Sequence, residues 1–177
     1  MERAILLNNI NSSQGKCQVS ITTSDEADQI IYLLKDVAHW LKENEIGQWG
    51  FLAEGGDDEE IKQAIQNQET YSVKRGGEIV ATYTLYKEQT GWDRHLWGDL
   101  KDEAIYLHRL ALTRSEIGSG LGKGLMRWIE KYTKGEGIHT LRLDCVENNT
   151  KLNSFYENSG FEKQGANHAF SLYQKDL

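Results

Sequence analysis

Residues 110–128, LALTRSEIGSGLGKGLMRW, place four glycines within seven positions (Gly118, Gly120, Gly122, Gly124) and run directly into an apolar, helix-like stretch. Glycine is the costliest ordinary residue to order in a helix or strand, so four of them at the mouth of a helix call for a purpose. A helix N-terminus presents unpaired N–H groups and a partial positive charge. Glycines let that backbone approach an anion closely and adopt positive φ, forming a concave nest of amides. With Lys123 adding a cation, the stretch from Gly118 to Lys123 reads as a phosphate cradle. Two common phosphate patterns fail on single positions. Ile117 stands where the first glycine of G-x-x-x-x-G-K-[ST] belongs, and Gly124 follows Lys123 in place of Ser or Thr. The dinucleotide pattern G-x-G-x-x-G ends on Lys123 or Leu125, according to the starting glycine.

The flanks predict a strand over 104–113 (AIYLHRLALT) and a helix from Leu121 to Lys134, whose Leu121, Leu125, Trp128, Ile129 and Tyr132 share one face. Gly135 and Gly137 stop it. Upstream, CQVSITT (17–23) alternates like a strand, and Thr23 to Glu26 fits a capping box opening an amphipathic helix over 24–44. DDEEIKQAIQNQ (57–68) predicts a second helix with capping acids in its first turn, where the helix dipole favours them. TYSVKR and EIVATYTLYKE form a hairpin through Gly76-Gly77, with Ile79, Ala81, Tyr83 and Leu85 on one face of the second strand. Residues 90–103 show no periodicity and read as a loop. HTLRLDCV predicts a strand, NNTKLNSFYENSG an Asn-capped short helix, and AFSLYQK a closing strand, with a further short strand at Phe161–Lys163. The order β-α-α-β-β-β-α-β-α-β demands a mixed α/β fold with at least one parallel strand pair.

Composition narrows the function classes. The 177 residues suit one domain, read as 17–177 with residues 1–16 an extension or short extra strand. A net charge of −7 argues against a general nucleic-acid binder, and no run suits a membrane span or a signal peptide, so the expectation is a cytoplasmic protein. Cys17 and Cys145 lie in separate strands and read as buried, reduced thiols, without metal-ligand spacing.

LHRLALTRSEIGSGLGKGLMRWIEKY resembles the acetyl-CoA motif of the GNAT superfamily of N-acetyltransferases, in which a strand ending Leu-Ala-Val leads through a short loop to Q/R-x-x-G-x-G/A at the start of a long helix. Here the strand ends Leu110-Ala111-Leu112 and the loop falls on Ile117, Gly118, Ser119, Gly120, Leu121 and Gly122, with Ile117 in place of Gln or Arg. NNTKLNSFYENSGF resembles the family's N-x-x-A-x-x-x-Y-x-x-x-G-F segment through Asn149, Tyr156 and Gly160-Phe161, with Leu152 in place of Ala. The resemblance covers nearly the whole chain. It implies a mixed, mostly antiparallel sheet of six to seven strands with a splayed central parallel pair, flanked by about four helices. It also implies acetyl-CoA as co-substrate, no metal, a homodimer as a frequent state among relatives, and acetyl transfer to a primary amine by direct attack in a ternary complex.

The resemblance assigns roles residue by residue. Main chain at Leu110, Ala111 and Leu112 would pair with the pantetheine arm, with an N–H near Leu110 as oxyanion donor. The loop amides from Gly118 to Lys123 would hold the pyrophosphate, Tyr156 would serve the departing thiolate as general acid, and Asn149 would cap its helix and reach the cofactor. A protonated amine cannot attack, so a base is needed. Tyr106, His108 and Leu110 alternate onto one strand face, which makes His108 the first candidate and Glu103 the fallback, with Arg109 on the opposite face. Trp40, Trp49, Trp92 and Trp97, with Tyr106, are expected to line an acceptor pocket for a small amine or amino acid. A non-catalytic acyl-CoA sensor and an acetyltransferase acting on a protein N-terminus or lysine remain as alternatives.

Overall fold

The computed structural model describes residues 6–44 and 57–177. Eight strands form one sheet: β1 (Leu6–Ser12), β2 (Gly15–Ile21), β3 (Thr70–Arg75), β4 (Glu78–Tyr86), β5 (Ile105–Leu112), β6 (Thr140–Val146), β7 (Glu162–Asn167) and β8 (Phe170–Asp176). Among the described residues five α-helices accompany them: α1 (Ala27–Glu43), α2 (Asp58–Gln66), α3 (Gly91–Trp97), α4 (Leu121–Gly135) and α5 (Thr150–Asn158). Across the sheet the strands run β1-β2-β3-β4-β5-β6-β8-β7. Every pairing is antiparallel except β5 with β6, whose crossover is α4.

The sheet therefore has eight strands rather than six or seven, because the N-terminal residues form β1 and the segment after Phe161 extends to Asn167 as β7. Ile10 of β1 packs into the main core beside α4, and a Cβ on Gly124 would lie 2.6 Å from its Cγ2. That close approach is why a glycine sits in the second turn of α4. The predicted apolar face of α4 is confirmed: Leu121, Leu125, Trp128 and Ile129 are buried against Tyr71, Tyr83 and Leu143. A second core on the opposite sheet face joins Ile30, Leu34 and Ala38 of α1 to Ile61 and Ile65 of α2 and to Ala111.

Several local expectations change. The stretch read as a loop holds α3, opened by a capping box in which Thr90 Oγ1 accepts from the Asp93 amide at 3.2 Å. The predicted 24–44 helix begins as a 3-10 turn over Ser24–Glu26, with the Thr23–Glu26 capping box in place. Asp58, Glu59 and Glu60 stand in the first turn of α2, as read, but the N-cap residue Asp57 makes no side-chain cap; Asp57 and Glu60 meet Arg109, and Asp58 meets Lys35 at 3.0 Å. Ile79 leaves the face shared by Ala81, Tyr83 and Leu85, because Val80 is an extra residue at a bulge against Val73 and Lys74.

The most consequential difference lies in β5. Thr82 faces Ala111 and Thr84 faces His108, so Tyr83 alone opposes both Arg109 and Leu110. This two-against-one bulge reverses the side-chain alternation beyond it. Arg109 takes φ +51, a left-handed conformation that costs a non-glycine residue ~1–3 kcal/mol and persists only where its surroundings enforce it. Its guanidinium is held by Asp57 at 2.9 Å and by the Tyr86 hydroxyl at 3.1 Å. Leu110 and Leu112 consequently pack into the core beneath α4, whereas Ala111 faces α1 and α2. The expectation that Leu110 shares a face with Tyr106 and His108, opposite Arg109, is thus corrected. Arg109 and His108 both contact Tyr86, His108 packing edge-on to its ring at 5.0 Å.

Candidate active site

β5 and β6 pair at only two rungs, Ile105 with Leu141 and Tyr106 with Arg142. Beyond them the strands separate, each still bonded to its outer neighbour, β4 or β8. The main-chain edge of β5 that passes Leu110, Ala111 and Leu112 therefore borders an opening in the middle of a continuous sheet. At the foot of the opening Arg142 donates to both oxygens of Asp102 (2.8 and 2.6 Å), to Gln174 (2.9 Å) and to the Tyr106 hydroxyl (3.0 Å). Trp97 lies against this cluster, with the Arg142 guanidinium 5.4 Å from its ring. Trp97 and Tyr106 thus brace the base of the split.

One step further along both strands stand His108 on β5 and Asp144 on β6. The first turn of α3 straddles them. Asp93 Oδ1 lies 2.8 Å from His108 Nε2, and Trp92 Nε1 donates to Asp144 Oδ1 at 3.3 Å. Asp93 is 1% exposed, and its other oxygen accepts from the Thr90 amide at 2.9 Å and hydroxyl at 3.0 Å. An ionised carboxylate accepts and does not donate, so the Nε2–H of His108 points at Asp93 and the free lone pair of a neutral imidazole falls on Nδ1. That tautomer suits a base. Burial pushes the Asp144 carboxyl up to about 6, an effect the nearby His108 and the Trp92 hydrogen bond oppose.

The glycine loop lies at the N-terminus of α4. Gly118 and Gly120 take φ +79 and +85, and Gly120 is the N-cap residue. Two amides within the loop already have partners: that of Ser119 donates to Glu116 O and that of Leu121 to Ser119 Oγ. This leaves the amides of Gly118, Gly120, Gly122 and Lys123 as the natural anion donors, since a first-turn N–H has no carbonyl four residues back. The loop is fastened from below. Buried Glu116 receives both Arg75 guanidinium nitrogens (2.6 and 2.7 Å), Ser13 N donates to Ser119 O at 2.8 Å, and the Gln14 side chain reaches Ser115 O. Arg75 holds the Glu116 carboxyl below the usual carboxylate range. Ile117 is extended and 66% exposed. A polar side chain there would also point to solvent, so the isoleucine leaves the backbone cradle intact.

α5 closes the other side. Asn149 Oδ1 caps it by accepting from the Leu152 amide at 3.2 Å, as its place in the sequence implies. Phe155 lies where a Cβ on Gly122 would touch its ring at 3.4 Å, so the two helices meet at the cradle. Tyr156 is 5% exposed between Phe155 and Phe161, and burial raises its hydroxyl well above the usual tyrosine range. Cys17 and Cys145 are buried free thiols, as expected.

The remaining expected residues are dispersed. Trp92 is 40% exposed beside the split and packs edge-on to Phe170 at 5.0 Å. Trp40 is half-buried in the last turn of α1, and Glu103 is exposed ahead of β5. Trp49 lies outside the described residues. Sequence reasoning missed Asp93 and Asp144. Asp93 had a signal, since Thr90-x-x-Asp93 is itself a capping box. For Asp144 the hint is weaker: an acid two residues from Arg142 on one face of a strand whose other face is apolar.

Comparison with known proteins agrees with this geometry. Residues 34–161 match the model of the acetyltransferase (GNAT) family. The chain is 36% identical over 160 residues to the uncharacterized N-acetyltransferase YesJ of Bacillus subtilis (strain 168), covering 86% of each protein. A GNAT-family acetyltransferase crystal structure from Listeria monocytogenes 4b F2365 superposes with a TM-score of 0.84 at 33% identity, covering 96% of this chain and 100% of that one. The PaiA N-acetyltransferase of Thermoplasma acidophilum, solved in complex with coenzyme A, shares the fold at a TM-score of 0.72 and 17% identity, over 91% of this chain and 99% of the other. With its opened parallel pair, its glycine nest and a matched region spanning most of its length, this chain belongs to the GNAT family of acetyltransferases.

Proposed function

We propose that the protein transfers the acetyl group of acetyl-CoA to the primary amine of a small molecule by direct attack within a ternary complex. The observation that carries this reading is the Asp93–His108 pair on one arm of the split, across from Asp144 on the other, with Asp144 near enough to the buried Tyr156 to raise its hydroxyl further. The residues present fit the co-substrate. The amides of Gly118, Gly120, Gly122 and Lys123 suit a pyrophosphate, and the open β5 edge beside Leu110 to Leu112 suits the amide groups of a pantetheine arm.

His108 Nδ1 takes a proton from the amine as its nitrogen lone pair forms the bond to the thioester carbon. The carbon–sulfur pair departs on sulfur. A coenzyme A thiol has a pKa of ~8.5, lower than that of the buried Tyr156 hydroxyl, so Tyr156 acts chiefly as a hydrogen-bond donor to the developing thiolate. A main-chain N–H of β5 near Leu110 stabilises the oxyanion. An acceptor screen that follows thiol release from acetyl-CoA tests the reading, with alkylamines, amino acids and a peptide bearing a free N-terminus in the panel. We expect turnover of at least one small amine, and Tyr156→Phe to lower kcat ~10–100-fold with little change in the KM for acetyl-CoA. Turnover of the peptide alone would transfer the activity to protein acceptors. Cofactor binding without any amine-dependent thiol would make the protein a sensor.

A further inference from the structure

On the amine-acetylating reading above, we propose that Asp144 is the specificity-determining residue of the acceptor site, its carboxylate receiving the ammonium group of a cationic alkylamine at the mouth of the β5–β6 split. Three observations support it. Asp144 sits on the inner arm of the split, in the rung position above Arg142 and level with His108, so a group bound to it lies beside the base. Its single described hydrogen bond, from Trp92 Nε1 to Oδ1 at 3.3 Å, is long and neutral, and it satisfies only a fraction of what a carboxylate can accept. Among the described residues no lysine or arginine pairs with it, whereas Asp102 at the foot of the same split is paired with Arg142, and Asp93 across it with His108.

A carboxylate held among protein groups without a cation is costly, because the charge is desolvated and not compensated. An alkylammonium supplies the missing charge. Trp92 then has a defined part: its N–H fixes one carboxylate oxygen, while its 40%-exposed ring borders the place where the alkyl chain would lie. The ammonium donates to Asp144 and first passes one proton through His108 Nδ1 to solvent. The freed lone pair then bonds to the thioester carbon, and the carbon–sulfur bond breaks with its electron pair on sulfur. The second N–H proton passes by way of His108 to the departing thiolate, while the carboxylate itself is unchanged over the cycle.

Asp144→Asn preserves shape and can keep the Trp92 contact, so it removes charge alone. The probes are 2-phenylethylamine, an ammonium ion at neutral pH, and aniline, which is uncharged there. The expected result is a rise of at least 10-fold in the KM for 2-phenylethylamine, less than 2-fold change for aniline, and an unchanged KM for acetyl-CoA. Equal KM values for 2-phenylethylamine in the two proteins would overturn the assignment while leaving the acetyl-transfer reading intact. Parallel losses for both amines would also overturn it, by showing a structural role. Failure of the unmodified protein to acetylate any amine of the panel would remove the amine reading and the anchor together.

Discussion

Replacing Asp93 by asparagine should disable the base while sparing the fold. Asp93 accepts three hydrogen bonds: from Thr90 N (2.9 Å) and Thr90 Oγ1 (3.0 Å) on one oxygen, and from His108 Nε2 (2.8 Å) on the other. An asparagine has one acceptor oxygen and one NH2 group. If the oxygen keeps the helix cap, the NH2 faces His108 Nε2, which must then accept. The imidazole proton moves to Nδ1, and the lone pair needed for the amine disappears. The orienting carboxylate of a catalytic triad behaves this way, and its amide variant loses ~10⁴ in kcat through the wrong tautomer. General-base catalysis is worth ~10²–10⁴-fold, so kcat for the amine should fall by ~10²–10⁴, equivalent to ~3–5 kcal/mol of barrier.

The opposite orientation sets donor against donor at the Thr90 amide and is disfavoured. With the cap retained, the stability loss should be ~1 kcal/mol, a fall of ~2–4 °C in Tm for a chain of this size. The assay is steady-state thiol release at saturating acetyl-CoA, with Asp93→Asn, His108→Gln and the double variant compared. Residues acting as one unit are non-additive, so the double variant should be no slower than His108→Gln. A change in kcat below 3-fold for Asp93→Asn, or fully additive losses, would refute the Asp93–His108 unit.

Gly120→Ala places a Cβ at φ +85 with open space around it, so its ~1 kcal/mol cost is conformational; acetyl-CoA KM should rise several-fold with amine KM unchanged, and Gly120→Asn, which tolerates the left-handed region, should recover most of the loss. Gly124→Ala should destabilise by ~1 kcal/mol despite better helix propensity, because its Cβ meets Ile10 Cγ2; in urea melts the double variant with Ile10→Ala should show coupling of at least ~1 kcal/mol. Asp144→Asn also has a pH signature. The folded pKa is raised from 3.8 to about 6, so the protonated acid is favoured in the folded state. The wild type therefore loses stability relative to the variant as pH rises from about 4 to about 6, by up to ~3 kcal/mol, with no further change above that window.

Most of the elements were legible because their signals are local. The period of α4, the capping box at Thr23, the Gly76-Gly77 turn and the two family motifs each depend on residues a few positions apart. The misreadings have non-local causes. α3 is two turns long and amphipathic only with respect to Asp93 and Leu96, which are buried by β5 and the sheet around it. The bulge at Arg109 arises because Tyr83 must oppose two residues, and no pattern within β5 announces it. The second role of Asp57 and Glu60 was not legible because their partner Arg109 is more than 45 residues away in sequence.

By itself the sequence determined the fold class, the glycine nest at the start of α4 and the Asn149–Tyr156 helix, since backbone freedom and helical spacing are written residue by residue. Tertiary structure alone decided which side chains meet. β5 and β6 separate after two rungs, the bulge turns Leu110 away from His108, and the first turn of α3 brings Asp93 to one arm and Trp92 to the other. The proposed base and its orienting acid, 15 positions apart, and the proposed anchoring carboxylate 36 positions further on are brought together by distances of ~3 Å that only packing sets.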